Sequence, residues 1–292
     1  MTMRLSYGTN GFTDHRLPDA LEIIAELGYE GVALTLDHQH LDPFSPGLAE
    51  RVAQTAAQLE RLGLGVVVET GARYVLDPWR KHEPTFLSAE GAEQRANHIH
   101  DAIDVAVDLG GDTVHLWSGA LPPGTPEDVA WERLVSGLAP VLEHAEQAGV
   151  RLAFEPEPGM FVSRLDGVRE LRARMGDPAA LVATVDVGHA VVNEDLPPHE
   201  CIRVAGDLVA HVQIEDMRRG VHEHLEFGEG EVDVPASLRA LLDIGYDGLV
   251  SVELTRHAHD APAVARRSME ALRTALAAAQ AAGPSTPSAD RS

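Results

Sequence analysis

A chain of 292 residues, 44% hydrophobic and 24% charged, carries enough apolar side chains for a full core, and barrels of roughly 250 residues run as one domain. Twenty-three Lys+Arg against 46 Asp+Glu give a formal net charge of -23, which repels polyanions at long range and disfavours nucleic acid, although a divalent cation bound in a cleft would invert the local field. The single cysteine, Cys201, excludes an intrachain disulfide framework, and the absence of a signal-like start or a membrane-length apolar run makes the cytoplasm the expected compartment.

Short β-rich runs alternate with longer amphipathic stretches. In chain order, a strand is predicted over 4–7 and a helix over 18–27, closed by LGYEG. A strand over 31–36 follows, then a helix over 48–62 closed by LGLG. Next come a strand over 65–69, a helix over 89–109 closed by LGGD, a strand over 113–117 and a helix over 128–148 closed by AGV. Strands over 151–155, 182–186 and 210–214, a helix over 236–242 closed by IGYDG and a last strand over 249–254 complete the series. Glycine recurs where a helix stops before a strand. Eight βα units with this punctuation predict an α/β chain folded as a single (β/α)8 TIM barrel over 1–282, with a disordered Pro/Ser-rich tail over 283–292. No glycine-rich dinucleotide fingerprint follows the first strand, so a doubly wound sheet lacks its best support.

Acidic side chains fall at the strand ends. Glu155 closes RLAFE, Asp186 closes VATVD, Gln213 lies in AHVQIED and Glu253 closes LVSVE. The carboxyl ends of barrel strands surround one mouth, so these four oxygen donors should converge. Three carboxylates confined in a small dry space call for a cation, and a divalent metal is the economical one.

The stretches AFEPEPG, TVDVGHA, HVQIED, FGEGEVD and GYDGLVSVEL resemble the xylose isomerase-like barrel superfamily. That group includes sugar and sugar-phosphate isomerases and epimerases, hydroxypyruvate isomerase, inosose dehydratases and metal-dependent apurinic endonucleases. The resemblance implies that Glu155, Asp186, Gln213 and Glu253 bind one divalent ion, usually Mn, Mg, Co or Zn. Most relatives carry histidine at the Gln213 position, whereas hydroxypyruvate isomerase resembles this chain in using glutamine. An amide oxygen is a harder ligand than imidazole, which favours Mn2+ or Mg2+ and leaves Co2+ and Zn2+ as alternatives. His211, two residues before Gln213 on the same strand face, is either a fallback ligand or a packed neighbour.

His189, three residues after Asp186, matches a histidine that contacts substrate oxygens in the isomerases and helps hold a further metal in the endonucleases. His222 and His224 form an H-x-H pair on an extended stretch, and with His189 they suggest a second metal site; the alternative is a pair of surface histidines. Glu69 and His115 stand where the endonucleases place histidines, and His115 could equally bond substrate. The segment ETGARYVLDPWRKHEPT brings together Arg73, Trp79, Arg80, Lys81 and His82, with Lys81 the only lysine of the chain. Such a cluster could dock an anionic substrate group or form local ion pairs over solvent. Arg256 and His257 follow Glu253 and would clamp substrate or cap the last helix.

The leading expectation is a metal-dependent isomerase or epimerase of a small carbohydrate or polyol, acting by proton transfer through an enediolate. The resemblance gives Glu155 and Glu253 the roles of catalytic base and acid, with His189, Glu157, His115, Lys81, His82 and Arg256 as substrate-binding candidates. The alternatives are a multi-metal phosphodiesterase or endonuclease, a dehydratase or lyase of the same fold, and a noncatalytic sugar-binding barrel. A homo-oligomer is compatible with all of them.

Overall fold

The computed structural model describes residues 3–283, so the predicted tail lies outside the described residues apart from Gly283. The barrel strands are β1 (Arg4–Gly8), β2 (Gly31–Thr35), β3 (Gly65–Glu69), β4 (Thr113–Trp117), β5 (Arg151–Glu155), β6 (Leu181–Asp186), β7 (Val209–Ile214) and, after a two-stranded hairpin of β8 (Asp216–Arg218) and β9 (Val221–Leu225), β10 (Leu249–Val252). All neighbouring barrel strands are parallel, and β1 closes the ring by pairing with both β2 and β10. The outer layer holds α1 (Leu17–Glu26), α2 (Leu48–Leu62), α3 (Ala92–Asp108), α4 (Glu127–Ala148), α5 (Leu165–Arg174), α6 (Val187–Asn193), α7 (Pro198–Ala205), α8 (Val234–Asp243) and α9 (Ala261–Ala281).

Helices stop where the chain can turn left-handed. Gly63 and Gly149 close α2 and α4 at φ 68° and 71°, a conformation that costs other residues about 1 kcal/mol or more. The outward faces of the strands and the inward faces of the helices form one continuous apolar core, and a small separate group of Ala153, Val182 and Ala210 plugs the barrel interior.

Register sets the site. Thr35 lies beside Glu69, Glu69 beside His115, Trp117 beside Glu155, and Asp186 beside Gln213. Between β6 and β7 the pairing jumps from Ala183–Val209 to Thr184–His211, a bulge at Ala210. A bulge inverts side-chain alternation, so Ala210 faces the interior plug while His211 and Gln213 also turn inward. Among the described residues no helix is long and apolar enough to cross a membrane.

Candidate active site

The carboxyl ends of the strands enclose a cleft of about 260 Å³, bordered by Glu69, His115, Glu155, Glu157, His189, Gln213 and Glu253 among others. One half is built around Glu155. His115 Nε2 donates to Glu155 Oε2 at 2.7 Å, and His189 Nδ1 lies 3.0 Å from Glu155 Oε1. Asp186 ends β6 and caps α6, its Oδ1 accepting the His189 N–H at 2.8 Å. That cap brings the His189 ring back over the strand ends, with Nδ1 3.6 Å from Asp186 Oδ2.

The other half is built around Glu253. Its Oε1 accepts from Asn10 Nδ2 and its Oε2 from Gln213 Nε2, both at 3.0 Å. Gln213 Nε2 also reaches Glu69 Oε1 at 3.0 Å, and Thr35 Oγ1 donates to Glu69 Oε2 at 2.8 Å. Glu155 Oε1, Asp186 Oδ2 and Gln213 Oε1 are buried with no bonded partner of hydrogen-bond geometry. Glu215, two residues beyond Gln213, is fully buried with neither carboxyl oxygen partnered. Gly188 makes its space, because a Cβ there would overlap the Glu215 carboxyl.

The hairpin supplies the third wall. Asp216 accepts backbone N–H groups of Met217, Gly228 and Val232 at 2.8–3.0 Å, pinning the glycine-rich turn beneath β9. His222 Nε2 then lies 3.0 Å from His189 Nε2, and ring nitrogens of His189, His222 and His224 fall within 4.8 Å of one another. The same spacing holds for donors of Glu155, Asp186 and His189, and for those of Glu215, His224 and Glu253.

Crowding polarises these groups. Burial alone would raise the Glu155 pKa, but the charges of His115 and His189 hold it well below the usual carboxylate range. Burial opposes the His189 charge, yet Asp186 and Glu155 outweigh it and raise His189 to about 10. Glu253 is pushed well up by burial and by the carboxylates Glu69, Glu155 and Asp186. Glu157 rises to about 7 through burial and the charge of Glu155. Burial lowers His222, and it takes His224 down to about 4.

Lys81, His82, Arg73 and Arg256 border the cleft farther out. Arg256 pairs with Glu223 at 3.2 Å, while α9 starts at Ala261 behind Asp260, so Arg256 and His257 do not cap that helix. His211 is fully buried with both ring nitrogens unpartnered, 3.8 Å from Glu69 Oε1, and does not border the cleft. Asn10, Thr35 and Glu215 went unsingled in the sequence. Glu215 had a signal, being two residues from Gln213 on the same strand face; Asn10 had none, since its partner is 243 residues away.

The sequence matches the family described as "Xylose isomerase-like TIM barrel" over residues 21–275. It is 26% identical over 272 residues to fructoselysine 3-epimerase of Shigella flexneri, covering 90% of this chain and 93% of that one. A solved L-ribulose 3-epimerase superposes with a TM-score of 0.78 at 20% identity, over 96% of this chain and 97% of that one. The IolI protein, solved with a bound zinc atom, shares the fold with a TM-score of 0.75 at 17% identity, over 94% of this chain and 98% of that one. With the family matched across most of its length and the eight-stranded barrel closed around the site, the chain belongs to the xylose isomerase-like TIM barrel family.

Proposed function

We propose that this chain is a divalent-metal-dependent isomerase or epimerase of a small carbohydrate or polyol-derived carbonyl compound. The observation that carries the reading is the convergence of Glu155, Asp186, Gln213 and Glu253 at one barrel mouth, with the buried Gln213 Oε1 unpartnered and the carboxylates Glu155 and Asp186 left only the single imidazole His189 to share at Oε1 and Oδ2. Carboxylates so crowded lose more solvation than their few partners restore, which fits a cation better than an empty polar pocket. Glu155, Asp186, Gln213 and Glu253 would hold that ion, and the all-oxygen donor set favours Mn2+ or Mg2+. When bound, it supplies positive charge for the oxyanion that forms as a proton leaves the carbon beside a carbonyl.

The residues of the chain move the proton. Glu155 and Glu253 approach from β5 and β10, strands separated in the ring by β6 and β7. Glu155 accepts the proton from carbon at a carboxylate oxygen, and Glu253, across the mouth, delivers one to the opposite face. The C–H pair stays as the enediolate π bond until the new C–H bond forms. His115 and His189 hold the Glu155 carboxylate, and His189 and Glu157, which border the cleft, would orient hydroxyls.

The test is turnover of a ketose and keto-acid panel in D2O. Product should carry one solvent deuterium, and Glu155→Gln should cut turnover by about a thousandfold or more. Unlabelled product, or near-normal activity of Glu155→Gln, would overturn the reading. The 3.0 Å approach of His189 Nε2 to His222 Nε2, with His224 alongside, supports a second cation position. Two metal equivalents per chain, falling to one in His222→Ala, are expected from elemental analysis; one equivalent in the unaltered chain removes that site.

A further inference from the structure

The segment between β3 and α3 is held from beneath by a buried arginine. Arg95, in the first turn of α3, is 3% exposed and donates to three carbonyls of that segment and its flank: Thr70 at 2.9 Å, His82 at 2.6 Å and Pro84 at 3.0 Å. Its guanidinium carbon lies 4.9 Å from the Trp117 ring, which borders the cleft. Burial lowers the Arg95 pKa to about 10, and the charge of Glu83, in the same segment, partly offsets this. His82 tightens the segment further, its N–H donating to Arg73 O at 2.5 Å and its ring Nδ1 to Gly71 O at 2.7 Å.

Two residues of this segment stand in the left-handed region without being glycine, Ala72 at φ 47° and His82 at φ 67°. Non-glycine residues persist there only where the surroundings over-determine them, and such positions concentrate at binding sites. Each is next to a cation: Ala72 precedes Arg73, and Lys81 precedes His82. Both cations border the cleft. Arg73 Nε stands 3.5 Å from Asp37, and Lys81 has no carboxylate partner among the described residues. The floor of the same cleft carries Glu69, Glu155, Glu157 and Glu253. A rigid wall of positive charge thus faces an acidic floor, in a chain of net charge -23 whose only lysine stands on that wall.

We propose that the substrate carries an anionic group, a carboxylate or a phosphate, received on the cleft wall by Lys81 and Arg73 while its hydroxyl-bearing end lies over the acidic floor. The assignment of the floor rests on the isomerase or epimerase reading; the assignment of the wall rests on the β3–α3 segment. Charge-assisted hydrogen bonds to an anion are roughly twice as strong as neutral ones, and two held in place give selectivity as well as affinity. Arg95 acts as a positioning residue, fixing the backbone from which both cations project.

The experiment is calorimetric binding to the metal-loaded full chain, with three probes of one carbon skeleton: D-glucitol, D-gluconate and D-glucitol 6-phosphate. At least one anion should bind about tenfold or more tightly than glucitol, with the gap narrowing as salt rises. Lys81→Met and Arg73→Met should each shrink the gap by about tenfold and leave glucitol affinity unchanged. Tight gluconate with weak glucitol 6-phosphate assigns a carboxylate, and the reverse assigns a phosphate. Equal affinity for all three, no binding by either anion, or a preference that survives both substitutions overturns the proposal. Because only affinity is read, a chain that selects an anion through Lys81 but incorporates no solvent deuterium would fail the isomerase reading and keep this one.

Discussion

Two layers of the barrel interior, one two-residue repeat apart along the strands, treat most of their polar groups in opposite ways. In the lower layer Ser6 and Ser251 bond each other at 2.6 Å, and Thr184 Oγ1 donates to Ala153 O at 3.0 Å. In the upper layer Glu155, Asp186, His189, Gln213, Glu215 and His224 all keep at least one buried atom unpartnered. Ser251 and Glu253 sit two residues apart on β10 and its end, and Thr184 and Asp186 two apart on β6, so the same strands build both layers. A layer that serves stability closes most of its hydrogen bonds, with His211 beside Thr184 as an exception, whereas the layer at the mouth leaves many open for something to bind.

The strongest challenge to this contrast is to remove one charge from the upper layer. Glu253→Gln keeps the shape and an acceptor for Asn10, so the chain should fold with an unchanged circular dichroism spectrum while turnover falls by about a thousandfold or more. A modest loss would mean that Glu253 shapes the pocket without handling protons.

Chelation tests the open acceptors as a group. If they hold a cation, metal at a hundred to a thousand times its dissociation constant should stabilise the fold by about 3–4 kcal/mol, and stripping it should lower Tm by roughly 6 °C. Readdition of Mn2+ should restore Tm. An unchanged Tm after verified removal of metal would place the carboxylates among structural groups.

The same contrast explains which features were legible in the sequence. The lower layer and the helices follow periodicity and glycine punctuation, so all eight barrel strands were found, with ends displaced by one or two residues: β10 stops at Val252 and β2 at Thr35. Strand-end position alone led to Glu155, Asp186, Gln213 and Glu253. The β8–β9 hairpin was not found, because it is held by Asp216 reaching Gly228 and Val232 and not by an apolar alternation of its own. Nor could local pattern reveal the bulge at Ala210, the Asn10–Glu253 bond or the three carbonyls gathered by Arg95. All of these join segments distant in the chain.

An unpartnered polar group outside the mouth should burden stability and spare function, and α3 contains one. His98 is 1% exposed, and neither ring nitrogen has a partner. Burial, reinforced by the charge of Arg95, depresses its pKa to about 3 from 6.5. The unfolded chain therefore takes up a proton below pH 6.5 that the folded chain refuses, and stability drains as pH falls from 6.5 toward 3. At pH 5 the difference amounts to about 2 kcal/mol. His98→Leu should flatten this acid limb in urea melts collected between pH 7 and 5, with turnover unchanged. A limb of the same slope in the variant would assign acid sensitivity to other groups.

The smallest effect comes from opening the lower layer deliberately. Ser251→Ala leaves the Ser6 hydroxyl buried without its 2.6 Å partner, which should cost about 1–2 kcal/mol, while turnover stays within about twofold. Ser6→Ala should do the same from the other side. Because the penalty belongs to the abandoned hydroxyl, removing both should cost less than the two single losses added, and urea melts of the four chains measure that coupling directly. Simple additivity would show that the pair contributes no mutual stabilisation, and the layers would then differ in what they bind without differing in how they are held. Non-additivity of about 1 kcal/mol, with catalysis intact, would separate the stabilising layer from the reactive one across a single step of the same strands.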